Sequence, residues 1–213
     1  MTSPAPIAPP TCKPLRIGDL APDFTARTTQ GERSLRDYRG QWLIFFSHPA
    51  DFTPVCTTEF IGMERARARF EAMGCALLGL SVDSLYAHHA WLRAIHDSFG
   101  IAIGFPVVED PSMAIGRAYG MIDDQAASSA AMRCTYFIDP QGVVRAITVY
   151  PHDVGRSVQE MLRLLAALQR AADGTAMTPE GWQPGEDLLQ PADPQTPPDL
   201  QASDWFCRKV PAR

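Results

Sequence analysis

Cys56 is the residue in this chain best placed to do chemistry. It lies in the stretch His48-Pro49-Ala50-Asp51-Phe52-Thr53-Pro54-Val55-Cys56-Thr57-Thr58-Glu59-Phe60. A thiol acts as a nucleophile only as its thiolate, so what matters is whether its surroundings favour an anion. Thr53 is a favoured helix N-cap type, and Pro54 after it suits the first helical position, where its missing N–H costs nothing. Cys56 then falls three residues past the cap. A capping box puts an acidic side chain there, close to the positive end of the helix dipole. Sulfur at that position is expected to have a lowered pKa and to populate its nucleophilic form near neutrality. A lone cysteine at such a junction is otherwise a small buried apolar residue.

The elements on either side set up this geometry. Trp42-Leu43-Ile44-Phe45-Phe46 is a short, apolar, aromatic-rich run that predicts a buried strand. From Phe60 to Met73, apolar residues at Phe60, Met63, Ala66, Phe70 and Met73 follow helical spacing. The cysteine therefore sits where a strand hands over to a helix.

Further strands are expected at 24–26, 33–35, 75–82, 105–108, 135–138 and 143–149, and further helices at 84–99, 113–119 and 155–171. The 84–99 helix is expected to turn Leu85, His89, Leu92, Ile95 and Phe99 inward. The 155–171 helix should do so with Val158, Met161, Leu162, Leu165 and Leu168. Strands alternating with helices and closing on a hairpin plus helix give an α/β layer structure with a mixed sheet.

Proline marks the domain limits. Of the 19 prolines, five lie in residues 1–14 and seven in residues 172–213, leaving seven for the 157 residues between. We expect a disordered extension over 1–14, a compact domain over 15–171, and a proline-rich arm over 172–213 that crosses to a partner subunit.

The string Ser47 to Glu59, and within it Pro49-x-x-x-Thr53-x-x-Cys56, resembles the active-site motif of the peroxiredoxins. It is most similar to the branch holding the one-cysteine enzymes and their long-tailed microbial relatives. The resemblance runs from about Leu15 to Arg208. It implies a thioredoxin-like fold, with a mixed central sheet and an extended C-terminal arm. It implies a thiol-dependent peroxidase that reduces hydrogen peroxide and organic hydroperoxides through a sulfenic acid on Cys56.

The resemblance also implies further roles. Pro49 shields the sulfur and Thr53 hydrogen-bonds the peroxide. Arg133, just before the strand at 134–139, is the family's active-site arginine and stabilises the negative charge that develops on the departing oxygen. Arg156 is a second arginine near the site. It stands at a helix start, where the dipole disfavours a cation, so another group must hold it. Glu59 is expected to orient one of these arginines through a bidentate pair. His48 adjoins the pocket. Cys207, in Asp204-Trp205-Phe206-Cys207, is the candidate resolving thiol from a neighbouring subunit. Related tails often carry two cysteines here; this one carries one. Partners implied are thioredoxin or another thiol reductant, and a homodimer that can assemble into rings of five dimers.

Composition narrows the alternatives. A net charge of −5 gives no general attraction to nucleic acid or anionic membranes. No run of 18 apolar residues is present, so no membrane span is expected. The N-terminus lacks the basic and apolar regions of a secretory signal, which leaves a cytoplasmic location as the simplest expectation. The five cysteines, Cys12, Cys56, Cys75, Cys134 and Cys207, contain no C-x-x-C. That argues against a thioredoxin-type disulfide exchanger, a disulfide framework and a zinc site of usual spacing; no metal and no cofactor are expected. There is no Asn, so a Cys-His-Asn triad is impossible. His88, His89, His96 and His152 are expected to be structural or surface residues, and Cys75 and Cys134 inert. Gly79-Leu80-Ser81-Val82-Asp83 lacks the second glycine of a lipase elbow, and no phospholipase activity is expected. The competing function is a peroxide sensor or chaperone-like redox assembly that oxidises the same Cys56.

Overall fold

Strand β3 (Trp42–Ser47) runs through the centre of the molecule, and all six of its residues are buried. A strand covered on both sheet faces reads as a continuous apolar run, which is why its signal is so plain. Side chains alternate sides along a strand. Trp42, Ile44 and Phe46 enter one core, and Leu43 and Phe45 enter another. The computed structural model in which this is seen describes residues 15–122, 128–191 and 204–212. The expected N-terminal extension, with Cys12, lies outside them.

The other strands are β1 (Thr25–Thr28), β2 (Gly31–Ser34), β4 (Cys75–Ser81), β5 (Val107–Glu109), β6 (Arg133–Ile138) and β7 (Val144–Tyr150). They form a seven-stranded sheet in the order β2-β1-β5-β4-β3-β6-β7. β4 is parallel to β3 and β5, whereas β6 is antiparallel to β3 and β7. The sheet is therefore mixed, as the element order predicts.

Helices α1 (Pro54–Ala72), α2 (Leu85–Phe99) and α4 (Val158–Ala171) cover the face where Phe60, Met63, Trp91, Ile95, Leu162 and Leu165 meet Phe46. The short helix α3 (Ala114–Ala118) and the segment around Ala21 and Leu35 cover the opposite face, against Phe45, Leu78 and Tyr136.

The α4 face matches expectation: Met161, Leu162 and Leu165 are buried, with Val158 and Leu168 packed against them. The α2 face does so in part: Ile95 is buried and Leu92 packs against the core. The buried residues are His88, Trp91 and Ile95, while His89 and Phe99 point to solvent. The apolar residues of α2 fit two overlapping faces, and the aromatic cluster around Phe60 selects the one carrying Trp91.

Past α4 the chain turns back on its own domain. Trp182 and Leu188 pack with Ala167 of α4 and Ala176 in a small third cluster. Two-residue strands β8 (Leu188–Leu189) and β9 (Lys209–Val210) pair antiparallel. Between them stand Trp205 and Phe206, ring to ring at 5.6 Å, with Phe206 74% exposed.

Phe60 is fully buried and packs on Trp91, His48, Phe105 and Phe46, with ring centroids 4.6, 4.9, 5.3 and 5.7 Å away. Phe60→Ala is expected to lower unfolding free energy by about 3–5 kcal/mol in urea titrations. Phe206→Ala, at an exposed site, should change it by no more than about 0.5 kcal/mol.

Candidate active site

The loop 48–53 carries the chain from the end of β3 to the start of α1. Thr53 takes the N-cap position and Pro54 the first helical one, as the sequence predicts. The Thr53 side chain, however, makes no capping bond. Its hydroxyl donates to the Ala50 carbonyl at 2.8 Å, which leaves its lone pairs as acceptors. Cys56 lies in the first turn of α1, fully buried. Pro49 is buried at the head of the same loop.

Strand parity brings the cation. Along β6, Phe137 faces the α1 side and Cys134, Tyr136 and Ile138 face the other. Arg133 shares the parity of Phe137, so its side chain enters the core beside α1. There its Nη1 donates to Cys56 Sγ at 3.2 Å and to Glu59 Oε2 at 2.8 Å. Its Nε and Nη2 donate to the His152 carbonyl at 3.0 and 2.6 Å, so the guanidinium is held from both ends.

Arg156 precedes α4, and the group that holds it is Glu59. Its Nε and backbone N–H donate to Glu59 Oε1 at 2.9 and 2.8 Å, and its Nη2 donates to Oε2 at 2.8 Å. Nη1 reaches the Cys134 carbonyl and the Thr135 hydroxyl at 3.0 and 3.1 Å. The guanidinium also lies over the Phe46 ring, 5.2 Å from its centroid. Glu59 thus orients both arginines, where the sequence suggested one. Gly155 keeps this corner tight: a Cβ there would meet Val55 Cγ1 at 3.3 Å.

The charges can be counted. Two guanidiniums and one carboxylate are buried together, which leaves one positive charge in excess beside the sulfur. Burial by itself would raise the Glu59 pKa, but the hydrogen bonds and charge of Arg156, joined by Arg133, hold it below its usual value of 4.5. The fixed positive charge suits an anionic sulfur and charge developing on a nearby oxygen.

With this geometry in place, likeness to known proteins becomes informative. Residues 17–147 match the AhpC/TSA family model. The chain is 44% identical to a peroxiredoxin of Thermoplasma volcanium over 84% of its own length and 87% of that protein's. It is 43% identical to peroxiredoxin 2 of Caldanaerobacter subterraneus subsp. tengcongensis over 93% of each chain. The chain belongs to the AhpC/TSA family of peroxiredoxins. It is a thiol-dependent peroxidase with a thioredoxin-like fold. Its backbone is similar to the yeast mitochondrial 1-Cys peroxiredoxin, with TM-score 0.78, 36% identity, and 83% and 87% of the two chains covered. A Plasmodium vivax 2-Cys peroxiredoxin in its reduced form gives 0.77 and 31%, over 84% and 95%.

The other cysteines of this peroxiredoxin divide by exposure. Burial pushes the Cys75 thiol up to about 12 and the Cys134 thiol up to about 11. Cys207 is exposed and free. Ser81 is fully buried and donates to Asp83 at 2.7 Å.

One cluster escaped the sequence reading. The two oxygens of Asp51 take His48 Nε2 at 2.8 Å and His88 Nδ1 at 2.7 Å. These are metal-ligating side-chain types brought together, but each is already engaged with another. His48 Nδ1 alone has no partner among the described residues. Burial holds His48 below its usual pKa, despite the opposing Asp51 hydrogen bond, so its ring is neutral. His88 sits 37 residues from Asp51, a pairing that local pattern cannot reveal.

Glu59→Gln would strand two buried guanidiniums and is expected to cost about 3–5 kcal/mol of stability. The carboxylate's lowered folded pKa stabilises the protein above its unfolded value, near 4.5, and this contribution is lost as pH falls toward the folded value. Thermal melts of the wild type should therefore fall more steeply below that pH than those of Glu59→Gln.

Proposed function

We propose that this peroxiredoxin reduces hydroperoxides by direct attack of the Cys56 thiolate on a peroxide oxygen. The observation that carries the reading is the Arg133 Nη1 contact to Cys56 Sγ at 3.2 Å, with the guanidinium locked by Glu59 and the His152 carbonyl. A sulfur lone pair forms an S–O bond while the O–O bond breaks. Hydroxide or alkoxide departs, takes a proton, and leaves as water or alcohol. Cys56 becomes a sulfenic acid. Arg133 offsets the charge that moves from sulfur to the departing oxygen. Thr53, whose hydroxyl already donates to Ala50, accepts the peroxide O–H. Pro49 keeps bulk water from the sulfur.

Cys207 is the resolving thiol in this reading. It condenses with the sulfenic acid of a neighbouring subunit, forming an S–S bond and releasing water. Thioredoxin or another dithiol then reduces the disulfide. Support comes from the exposure of Cys207 and from the exposed Trp205–Phe206 pair beside it, an apolar knob suited to a groove on a second subunit. The Trp205–Cys207 tip of the C-terminal arm meets that subunit, and the homodimer is the working unit. Cys56 is fully buried, so a protein thiol reaches it only when the first turn of α1 opens. A peroxide sensor would use the same sulfur without sustained turnover.

Stopped-flow mixing with hydrogen peroxide tests the chemistry. Wild type should consume peroxide continuously with dithiothreitol, and Cys56→Ser should consume none. Arg133→Met should slow the first reaction by about 100- to 1,000-fold, as loss of one fixed donor to a developing oxyanion does. Cys207→Ser should keep the first rate but lose the peroxide-induced interchain disulfide on a non-reducing gel. Consumption that stops at a single equivalent would favour the sensor, and a wild type that stays monomeric on that gel while active would remove Cys207 from the cycle.

A further inference from the structure

Phe52 is held in an unfavourable backbone conformation, four residues before the reactive sulfur. Its φ is +57°, in the left-handed region where a Cβ meets the following carbonyl. Its side chain is 60% exposed, so burial of the ring does not offset the strain. Among the described residues only one other non-glycine, Met113, has a positive φ. A residue persists in such a conformation when its surroundings over-determine it.

The determinant stands one residue earlier. Asp51 is 8% exposed, and both its partners, His48 and His88, are fully buried. His48 belongs to the loop itself, and its backbone N–H is bonded to the Leu80 carbonyl of β4 at 3.0 Å. His88 belongs to α2, and its Nε2 meets the Val108 carbonyl of β5 at 3.1 Å. The Asp51 backbone N–H donates to Asp83 Oδ2 at 3.0 Å. The Asp51 side chain thus ties the loop to its own start and to a neighbouring helix, and its backbone N–H ties it to the β4–α2 connection. None of these contacts touches Cys56, Arg133 or Glu59.

The donors and acceptors fit a carboxylate. Nε2 of His88 faces a carbonyl and must carry a proton; Nδ1 faces Asp51 and donates as well when Asp51 is ionised. Burial would raise the Asp51 pKa, but the hydrogen bonds from His48 and His88 outweigh it and keep the group below its usual range.

We propose that Asp51 is a positioning residue of the peroxidase reaction: clamped between His48 and His88, it holds Phe52 in the left-handed turn and so fixes where α1 begins and where Cys56 lies against Arg133. This inference rests on the peroxidase reading given above. It assigns Asp51 no contact with substrate. The alternative is a buried polar trio that contributes only to stability.

Three variants separate the two. Asp51→Ala removes both imidazole contacts. Asp51→Asn keeps them, because the amide oxygen accepts from His48 while the amide N–H donates to a neutral His88. Phe52→Pro changes a residue outside the trio and the core and forbids positive φ there. The readouts are the single-turnover rate with hydrogen peroxide, followed by tryptophan fluorescence, and the folded fraction from urea unfolding.

Folded Asp51→Ala and Phe52→Pro are expected to react about 100-fold more slowly, the scale of a reacting group displaced by about 1 Å. Asp51→Asn should stay near the wild-type rate. A wild-type rate in folded Asp51→Ala or in Phe52→Pro overturns the proposal, as does an Asp51→Asn as slow as the alanine variant. Should the alanine variant not fold, the other two still decide. A wild type that does not react with peroxide overturns the peroxidase reading itself, which is a separate result.

Discussion

The candidate site depends on one carboxylate. Glu59 lies one turn along α1 from Cys56 and receives both guanidiniums, one from β6 and one from the turn before α4. Each of these charges would be costly to bury alone. Together they hold three separate elements at fixed distances, and they leave one positive charge uncompensated beside the sulfur. The enzyme's central electrostatic feature is therefore also a structural joint. The bonds that hold the three elements together also set the charge beside Cys56, so neither can be loosened without the other.

The sheet supplies the second constraint. Because β3 lies inside the sheet and is buried on both faces, its end is a firmly placed point from which a loop can start. The loop 48–53 uses that rigidity and adds its own, through Asp51. Cys56 is thus approached from two directions by rigid structure: the loop held by the Asp51 cluster leads into α1, and the Glu59 cluster faces its first turn. The Phe60–Trp91–His48 aromatic packing runs between them. A change at Trp91 or Phe60 would consequently be felt at both ends of the helix turn that carries the sulfur.

Much of this was legible in the sequence, for physical reasons. A strand buried on both faces cannot hide its apolar run, and a Thr-Pro cap announces a helix. The string from Ser47 to Glu59 carries Cys56 and the acid that bonds both arginines beside it. Arg133 and Arg156 were singled out through the family resemblance, which implies arginines at these places. What was not legible depended on distance. The Asp51–His88 bond joins a loop to a helix whose inward face looked equally plausible one position along. The insertion of β1 beside β5 rests on backbone pairing near Thr28 and Val108, which leaves no local trace. The β8–β9 pair is two residues long on each side, too short for any period to register.

Arg133 and Cys134 are neighbours in β6, yet they look into opposite halves of the molecule. Only the reading frame of the strand decides which of the two meets Cys56. The segment leading into β6 therefore acts as a ruler whose length sets a chemical identity. Shortened by one residue, it would offer Cys56 a sulfhydryl in place of a guanidinium. Two thiols would then face each other inside the core, and every other side chain of β6 would turn to the opposite face.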